Sequence, residues 1–303
     1  MPTRLKADLS LLLVAAIWGS AFVAQRVGAA HFGPFLFNGS RFLIGGLLLL
    51  PLVRFRLNFD RRQRAWVAAA GGLLCVAGFL QQAGLHWTTA GNAGFITALY
   101  VVFVPLILLV VWRQPSRWQI WAAVILAAAG LFLLSAGGTL QLAPGDALEL
   151  AGAMAWAGHV VVVGRAMRRT NDVRRMDALP FAAGQFLVAG VLNLTLSLGI
   201  ERAPLPSAPA AWWALAYISV VSVAVGYTVQ ATAQQHAPAA DAALILSLES
   251  VVALLSGMLI LGERLQPAQW AGAGIILAAI VLAQIGPAPE AKGSPVREAT
   301  AED

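Results

Sequence analysis

Residues 240–261 read ADAALILSLESVVALLSGMLIL, a run whose only charged side chains are Asp241 at its start and Glu249 near its middle. Wound into a helix at about 1.5 Å per residue, the run is about 33 Å long, enough to cross a hydrocarbon core of about 30 Å. A carboxylate inside such a helix is costly in lipid, so Glu249 must face protein, a cavity or a partner. Two questions follow from this one stretch: whether other runs accompany it, and what rewards the carboxyl.

The rest of the chain answers the first. Of its 303 residues, 59% are hydrophobic and 11% charged, where a soluble domain carries about 25% charge. So few charges cannot cover a water-facing surface, and the solvent is lipid. Ten apolar runs stand between polar or Pro/Gly breaks, at 8–29, 33–53, 64–86, 90–112, 117–136, 146–166, 178–200, 210–235, 238–261 and 266–285. The first, in MPTRLKADLSLLLVAAIWGSAFVAQRVG, follows a short basic segment but has no A-x-A cleavage site before a polar domain. It reads as a retained helix rather than a signal peptide. Residues 287–303, rich in Pro, Ala and charge, read as a disordered tail. The single cysteine, Cys75, excludes an intramolecular disulfide and a cysteine-based zinc cluster.

A net charge of +6 with a pI near 10.4 invites a nucleic-acid reading, but the positions of the cations reject it. With ten spans and a cytoplasmic N-terminus, 16 Lys/Arg fall on the cytoplasmic side, in clusters such as Arg54, Arg56, Arg61, Arg62 and Arg64. Only Arg26, Arg202 and Arg264 fall opposite, and Arg41 lies within a span. This is the positive-inside pattern. The cations orient the chain and meet anionic lipid headgroups.

The two halves also resemble each other. At an offset of 138 residues Asp8 pairs with Asp146 and Trp18 with Trp156. At an offset of 149, GNAGFITALYVVFVPLILLVVW (91–112) lies against the opening stretch, pairing Asn92 with Asp241, Leu99 with Leu248, Tyr100 with Glu249 and Trp121 with Trp270. Five spans per half force the second to enter the membrane from the other face. The expectation is an all-α membrane protein of ten transmembrane helices in two inverted five-helix repeats, residues 1–137 and 138–286, around a central cavity.

The segments WGSAFVAQRVG, RFLIGGLLLL, TTAGNAGFITALYVVFVPL and AALILSLESVVALLSGMLILGERLQPAQWAGAGIILA occur in this order, each in its own helix. Over residues 8–286 the chain resembles the EamA-type members of the drug/metabolite transporter superfamily. The resemblance implies ten helices, cytoplasmic termini, a central substrate cavity and export of small metabolites; some branches export amino acids, aromatic ones included. One position departs from the family pattern, which often has proline after the helix 9 glutamate where this chain has Ser250. A proline kink is therefore expected at Pro105 in helix 4 but not in helix 9.

Nine side chains are candidates for the substrate pathway or its coupling. Glu249 either carries a proton or meets a substrate ammonium, or else ties helices together. Arg41, the one cation deep in a span, either receives a carboxylate through its fork of donors or makes a structural ion pair, with Glu249 as one option. His159 either titrates in the cavity or hydrogen-bonds a neighbouring helix. Gln82 and Asn38, like Gln81, either line a pathway or join helices. Trp18, Trp156, Tyr100 and Tyr227 either form an aromatic pocket or pack as ordinary core. By contrast Trp66, Trp87, Trp112, Trp118, Trp121, Trp212, Trp213 and Trp270 cluster near span ends as interfacial anchors. Gly71, Gly72, Gly78, Gly272 and Gly274, with spacings such as Ala68–Gly72 and Gly274–Ala278, offer close helix approach.

No phosphate loop, nucleophile elbow, metal-ligand spacing or cofactor motif occurs in the sequence. The leading expectation is a bacterial inner-membrane exporter of small organic metabolites, foremost amino acids, working by alternating access with both termini cytoplasmic and protons as candidate coupling ion. Its partners are the small-molecule substrate and membrane lipid, with no nucleic acid, and a monomer is compatible with the sequence. A multidrug exporter is the alternative within the class. A membrane-embedded enzyme or a non-transporting scaffold are the alternatives outside it.

Overall fold

Why the apolar runs break where they do decides how the chain folds. A computed structural model describes residues 3–134, 144–168, 176–201, 205–261 and 266–284, and all regular structure among them is helical. The elements are α1 (Thr3–Ala29), α2 (Pro34–Leu49), α3 (Arg61–Gly84), α4 (Ala90–Ala98), α5 (Tyr100–Trp112), α6 (Trp118–Leu134) and α7 (Pro144–Met167). They continue as α8 (Ala178–Ile200), α9 (Pro209–Tyr217), a π-helical segment (Ile218–Tyr227), α10 (Thr228–Ala233), α11 (Ala239–Leu246), α12 (Glu249–Leu261) and α13 (Pro267–Gln284). Joined where they are collinear (α4 with α5, α9 with α10, α11 with α12), they make ten rods. Seven are long and apolar enough to cross a membrane, and three are shorter apolar helices.

Local chemistry moves several limits from those expected. An Arg4–Asp8 pair one turn apart, at 2.8 Å, lets α1 begin at Thr3. The Asp60 carboxylate accepts from the Arg62 and Gln63 amides, and Gln63 returns a bond to the Asp60 amide, so a capping box starts α3 at Arg61. Helix α2 stops at Leu49, four residues short of the expected limit, and the chain turns back through Arg54 and Phe55 in left-handed conformation. At the other end of α2, the Glu201 carboxylate takes the Phe35 and Leu36 amides at 2.8 Å each, capping it from the second half. The GERL turn with Glu263 and Arg264, the basic residues Arg169, Arg174, Arg175 and Arg202, and the tail beyond 284 lie outside the described residues.

Two rods are interrupted at equivalent places. The Leu99 amide donates to the Ile96 carbonyl at 3.1 Å, and the Leu248 amide donates to the Ile245 carbonyl at 3.2 Å, each a three-residue turn inside an otherwise α-helical rod. The positions differ by the repeat offset of 149. Pro105 weakens the first rod by withholding a donor from Val101. The second has no proline and so no proline kink, yet it is interrupted all the same. Ser247 Oγ donates to the Leu244 carbonyl, which the Leu248 amide has left for Ile245, and Ser250 Oγ joins its own amide on the Ser247 carbonyl, both hydroxyl bonds at 2.7 Å.

The packing shows the same pairing. Helix α2 meets its counterpart α8, and α6 meets α13; α3 lies along α7 as the α9–α10 rod lies along α1. The chain is thus two equivalent five-rod halves. Outward faces are apolar, with Leu198 89% and Trp213 77% exposed, a surface suited to lipid and not to water. Close approach is confirmed at Gly71, whose added Cβ would lie 2.6 Å from Val188, and at Gly78, where Asn38 would be 3.0 Å away. It is corrected at Gly72 and Gly274, which face open space.

Candidate functional site

A narrow cavity of about 30 Å3 lies between the halves, walled by α1, α2, α3, α4, the start of α5, α7, the π segment, α10 and the first turn of α12. Seven of the nine candidates line it: Glu249, Arg41, Trp18, Tyr100, His159, Trp156 and Tyr227. Gln82 and Asn38 do not. Gln82 donates to the Gln25 carbonyl at 3.0 Å and Asn38 to the Pro34 carbonyl at 2.8 Å, which ties them into the helix framework.

Opposite charges face the cavity without meeting. Arg41 is buried, donates through Nη1 to Gln25 Oε1 at 2.8 Å, and leaves Nε and Nη2 without acceptors. Its guanidinium lies 4.8 Å from the Phe42 ring centroid and 5.8 Å from that of Phe37, which covers its faces and leaves its edge for binding. Glu249 opens α12, where the positive end of the helix favours an acid, and its Oε1 has no donor. Tyr100 opens α5 at the equivalent position, and its buried hydroxyl likewise has no hydrogen-bond partner. No ion pair joins Arg41 to Glu249 among the described residues, so the pairing considered from sequence is not formed. Each unused group on a buried charge costs about 1–3 kcal/mol or more, a cost that a ligand with both charges would remove.

The rest of the wall is aromatic. Tyr227 is its centre, with ring centroids 4.6 Å from Trp18, 6.0 Å from Trp156, 5.7 Å from His159 and 5.8 Å from Phe186. Trp18 Nε1 donates to the Ser222 carbonyl at 3.2 Å, within the π segment that ends on Tyr227. A π segment shifts the register of the side chains after it, and such segments recur at functional sites. His159 is held by Gln185 at 2.9 Å between its Nε2 and the amide oxygen.

Sequence reasoning missed Gln25, Thr97 and Gln230, which line the cavity, and Glu149, which lies behind Thr97. A signal was present for two of them. Gln25 lies seven residues after Trp18 and Glu149 seven before Trp156, a spacing that returns to the same helix face. Thr97 and Gln230 carried no such mark.

The polar contacts differ at the two ends of the bundle. At the end bearing the N-terminus, Arg4 bridges Asp8 and Asp241 at 2.8 Å each, and Arg117 lies 3.8 Å from Asp241. At the other end Thr88 donates to Asp146 at 2.8 Å and Arg26 donates to the Leu85 carbonyl. Asp241→Asn is expected to remove the Arg4–Asp241 ion pair and cost about 1–2 kcal/mol, below the range for a fully buried pair because Arg4 is partly solvated. The check is thermal unfolding in detergent: salt should lower the wild-type midpoint and leave the variant's nearly unchanged.

Comparison with known proteins agrees with this geometry. The model of the EamA-like transporter family matches residues 5–136 and again 143–284. A protein of Archaeoglobus fulgidus described as an uncharacterized transporter is 31% identical over 286 residues, 93% of this chain and 87% of its own. The uncharacterized inner membrane transporter YedA of Escherichia coli is 29% identical over 91% of this chain and 90% of its own. A probable amino-acid metabolite efflux pump of Salmonella typhimurium is 26% identical, covering 91% and 93%. A crystal structure superposes with a TM-score of 0.75 at 19% identity, covering 92% of this chain and 96% of its own, and so shares the fold. With two copies of the family pattern and a charged cavity between them, the chain is a multi-pass membrane protein that belongs to the EamA-like transporter family.

Proposed function

We propose that this transporter exports amino acids, with those bearing aromatic side chains fitting best. The observation that carries the reading is one cavity holding a buried guanidinium and a buried carboxyl that are not paired with each other. An amino acid supplies the missing partner to both: its carboxylate accepts from Arg41 Nε and Nη2, and its ammonium donates to Glu249. As the halves part and the narrow cavity widens, the wall of Trp18, Trp156 and Tyr227 takes the side chain, at about 1 kcal/mol per good aromatic pair beyond area burial. The cation clusters support an orientation with both termini cytoplasmic, in a bacterial inner membrane. Alternating access follows if the halves rearrange about the interruptions at Leu99 and Leu248.

A cationic amphiphile is the second reading, since Glu249 and the aromatic wall together suit one. Flux into proteoliposomes separates the two. Radiolabelled L-phenylalanine is expected to be carried, whereas phenethylamine and 3-phenylpropionate, which each lack one charged group, compete at least tenfold more weakly, as the loss of about 1.5–3 kcal/mol predicts. Equal competition by phenethylamine would instead favour the cationic substrate and leave Arg41 without a role in recognition.

A further inference from the structure

Behind the cavity wall lies a carboxyl that amino-acid recognition does not use. Glu149, on α7, is fully buried among α3, α4 and α7. Its Oε2 accepts from Thr97 Oγ1 at 3.3 Å, and Oε1 has no partner. Thr97 in turn accepts from Gln81 Nε2 at 3.0 Å, and both of these side chains line the cavity. The α3 backbone closes the site from outside: a Cβ on Gly84 would come within 2.7 Å of Glu149 Oε1.

Among the described residues no cation balances this carboxyl. Asp146, one turn away on α7, is the charged group that acts on it. Helix α4 carries no titratable side chain, and Cys75 on α3 and Tyr100 on α5 are neutral in their ordinary forms. The arginines that open α3 lie about 30 Å along the helix from Gly84, and Arg26 is committed to the Leu85 carbonyl. Burying a carboxylate without a cation is prohibitively costly, and a proton is the counter-charge small enough for this enclosure. The repeat sharpens the point. At the offset of 138 the first half has Leu11, fully buried and apolar, where the second has Glu149. An acid required only by the architecture of a half would be expected in both.

We propose that Glu149 is a proton-carrying station linking the Asp146 end of α7 to the central cavity, so that a proton moves inward as substrate leaves. The Thr97 O–H, which points at Glu149 Oε2 here, first turns toward the cavity; the proton on the Glu149 carboxyl then passes to Thr97 Oγ as Thr97 releases its own hydroxyl proton into the cavity. The Glu149 carboxylate left behind is reprotonated from the Asp146 end, the outer end in the charge-based orientation. No bond other than O–H is broken or formed, and the charge entering the cavity equals the charge taken up outside. The inference rests on the transport reading of the cavity.

The test uses proteoliposomes preloaded with L-phenylalanine and a pH-sensitive dye. In the wild type, an outward phenylalanine gradient should drive proton influx, and external acid should speed phenylalanine efflux. Glu149→Gln is expected to lose at least tenfold of both effects while keeping phenylalanine–phenylalanine exchange within about twofold of wild type. Glu149→Asp should restore part of the coupling. Retained coupling in Glu149→Gln overturns the proposal, and so does wild-type efflux with no proton movement, which leaves the transport reading intact. Failure of exchange in folded wild-type protein would sink both. Loss of exchange together with coupling in Glu149→Gln and Glu149→Asp alike assigns Glu149 a structural role and also overturns the proposal.

Discussion

Arg41→Gln is expected to lower kcat/KM for L-phenylalanine at least a hundredfold while leaving thermal stability unchanged or slightly raised. The two halves of this result come from the same geometry. The guanidinium makes one side-chain hydrogen bond, to Gln25, and leaves two groups for a ligand. Two charge-assisted bonds at about 1.5–3 kcal/mol each amount to about 3–6 kcal/mol of lost recognition, or more than a hundredfold. For the folded protein alone, removing an unpaired buried cation relieves a desolvation cost. Arg41→Lys should retain part of the activity, because an ammonium keeps the charge but lacks the planar fork. Liposome flux paired with thermal unfolding in detergent measures both quantities. A variant that melts well below wild type yet still carries phenylalanine would mark Arg41 as a structural group and remove it from the site.

Gly19→Val is expected to cost about 1–3 kcal/mol of stability and nearly all transport. A Cβ at Gly19 would lie 2.5 Å from the Glu249 carbonyl, 2.5 Å from Val252 Cβ and 2.9 Å from the Ala253 amide. Two of those three atoms are backbone, so α1 and α12 must separate, and overpacking of this kind costs about that much. The displaced segment is the first turn of α12, so Glu249 moves with it and the cavity loses its acid in the right place. Gly274→Ala is the matched control. Its added Cβ meets nothing within 4 Å, and replacing a helical glycine by alanine gains about 0.5–1 kcal/mol. Thermal unfolding should place the two variants on opposite sides of wild type, and equal midpoints would show that the α1–α12 contact is looser than described.

The long periodicities were legible in the chain and the local irregularities were not. Apolar runs of span length give the ten rods because hydrocarbon admits few alternatives to a helix. The offset of 149 places Tyr100 opposite Glu249, and the structure puts both on one cavity wall. The interruption after Leu246 escaped notice because proline was the breaker sought, whereas Ser247 and Ser250 act through hydroxyls. The π segment has no residue signature, since its apolar pattern reads as an ordinary helix. Polar side chains inside spans were visible, but their direction was not: Gln81 faces the cavity while its neighbour Gln82 binds the Gln25 carbonyl. One residue of helix rotation separates those outcomes. Glu149 was hidden by its position near a helix start, where an acid is ordinarily a favourable neighbour of the helix dipole.

The ion cluster of Arg4, Asp8, Asp241 and Arg117 has a property that a greasy plug would lack. At 4 Å a charge pair is worth about 4 kcal/mol near a protein surface and about 1 kcal/mol in bulk water. Arg4 is already partly solvated while Asp241 is 4% exposed, so the cluster sits at the boundary between those two regimes. Its hold therefore depends on how far water and salt reach it: dilute salt tightens this end of the bundle and concentrated salt loosens it.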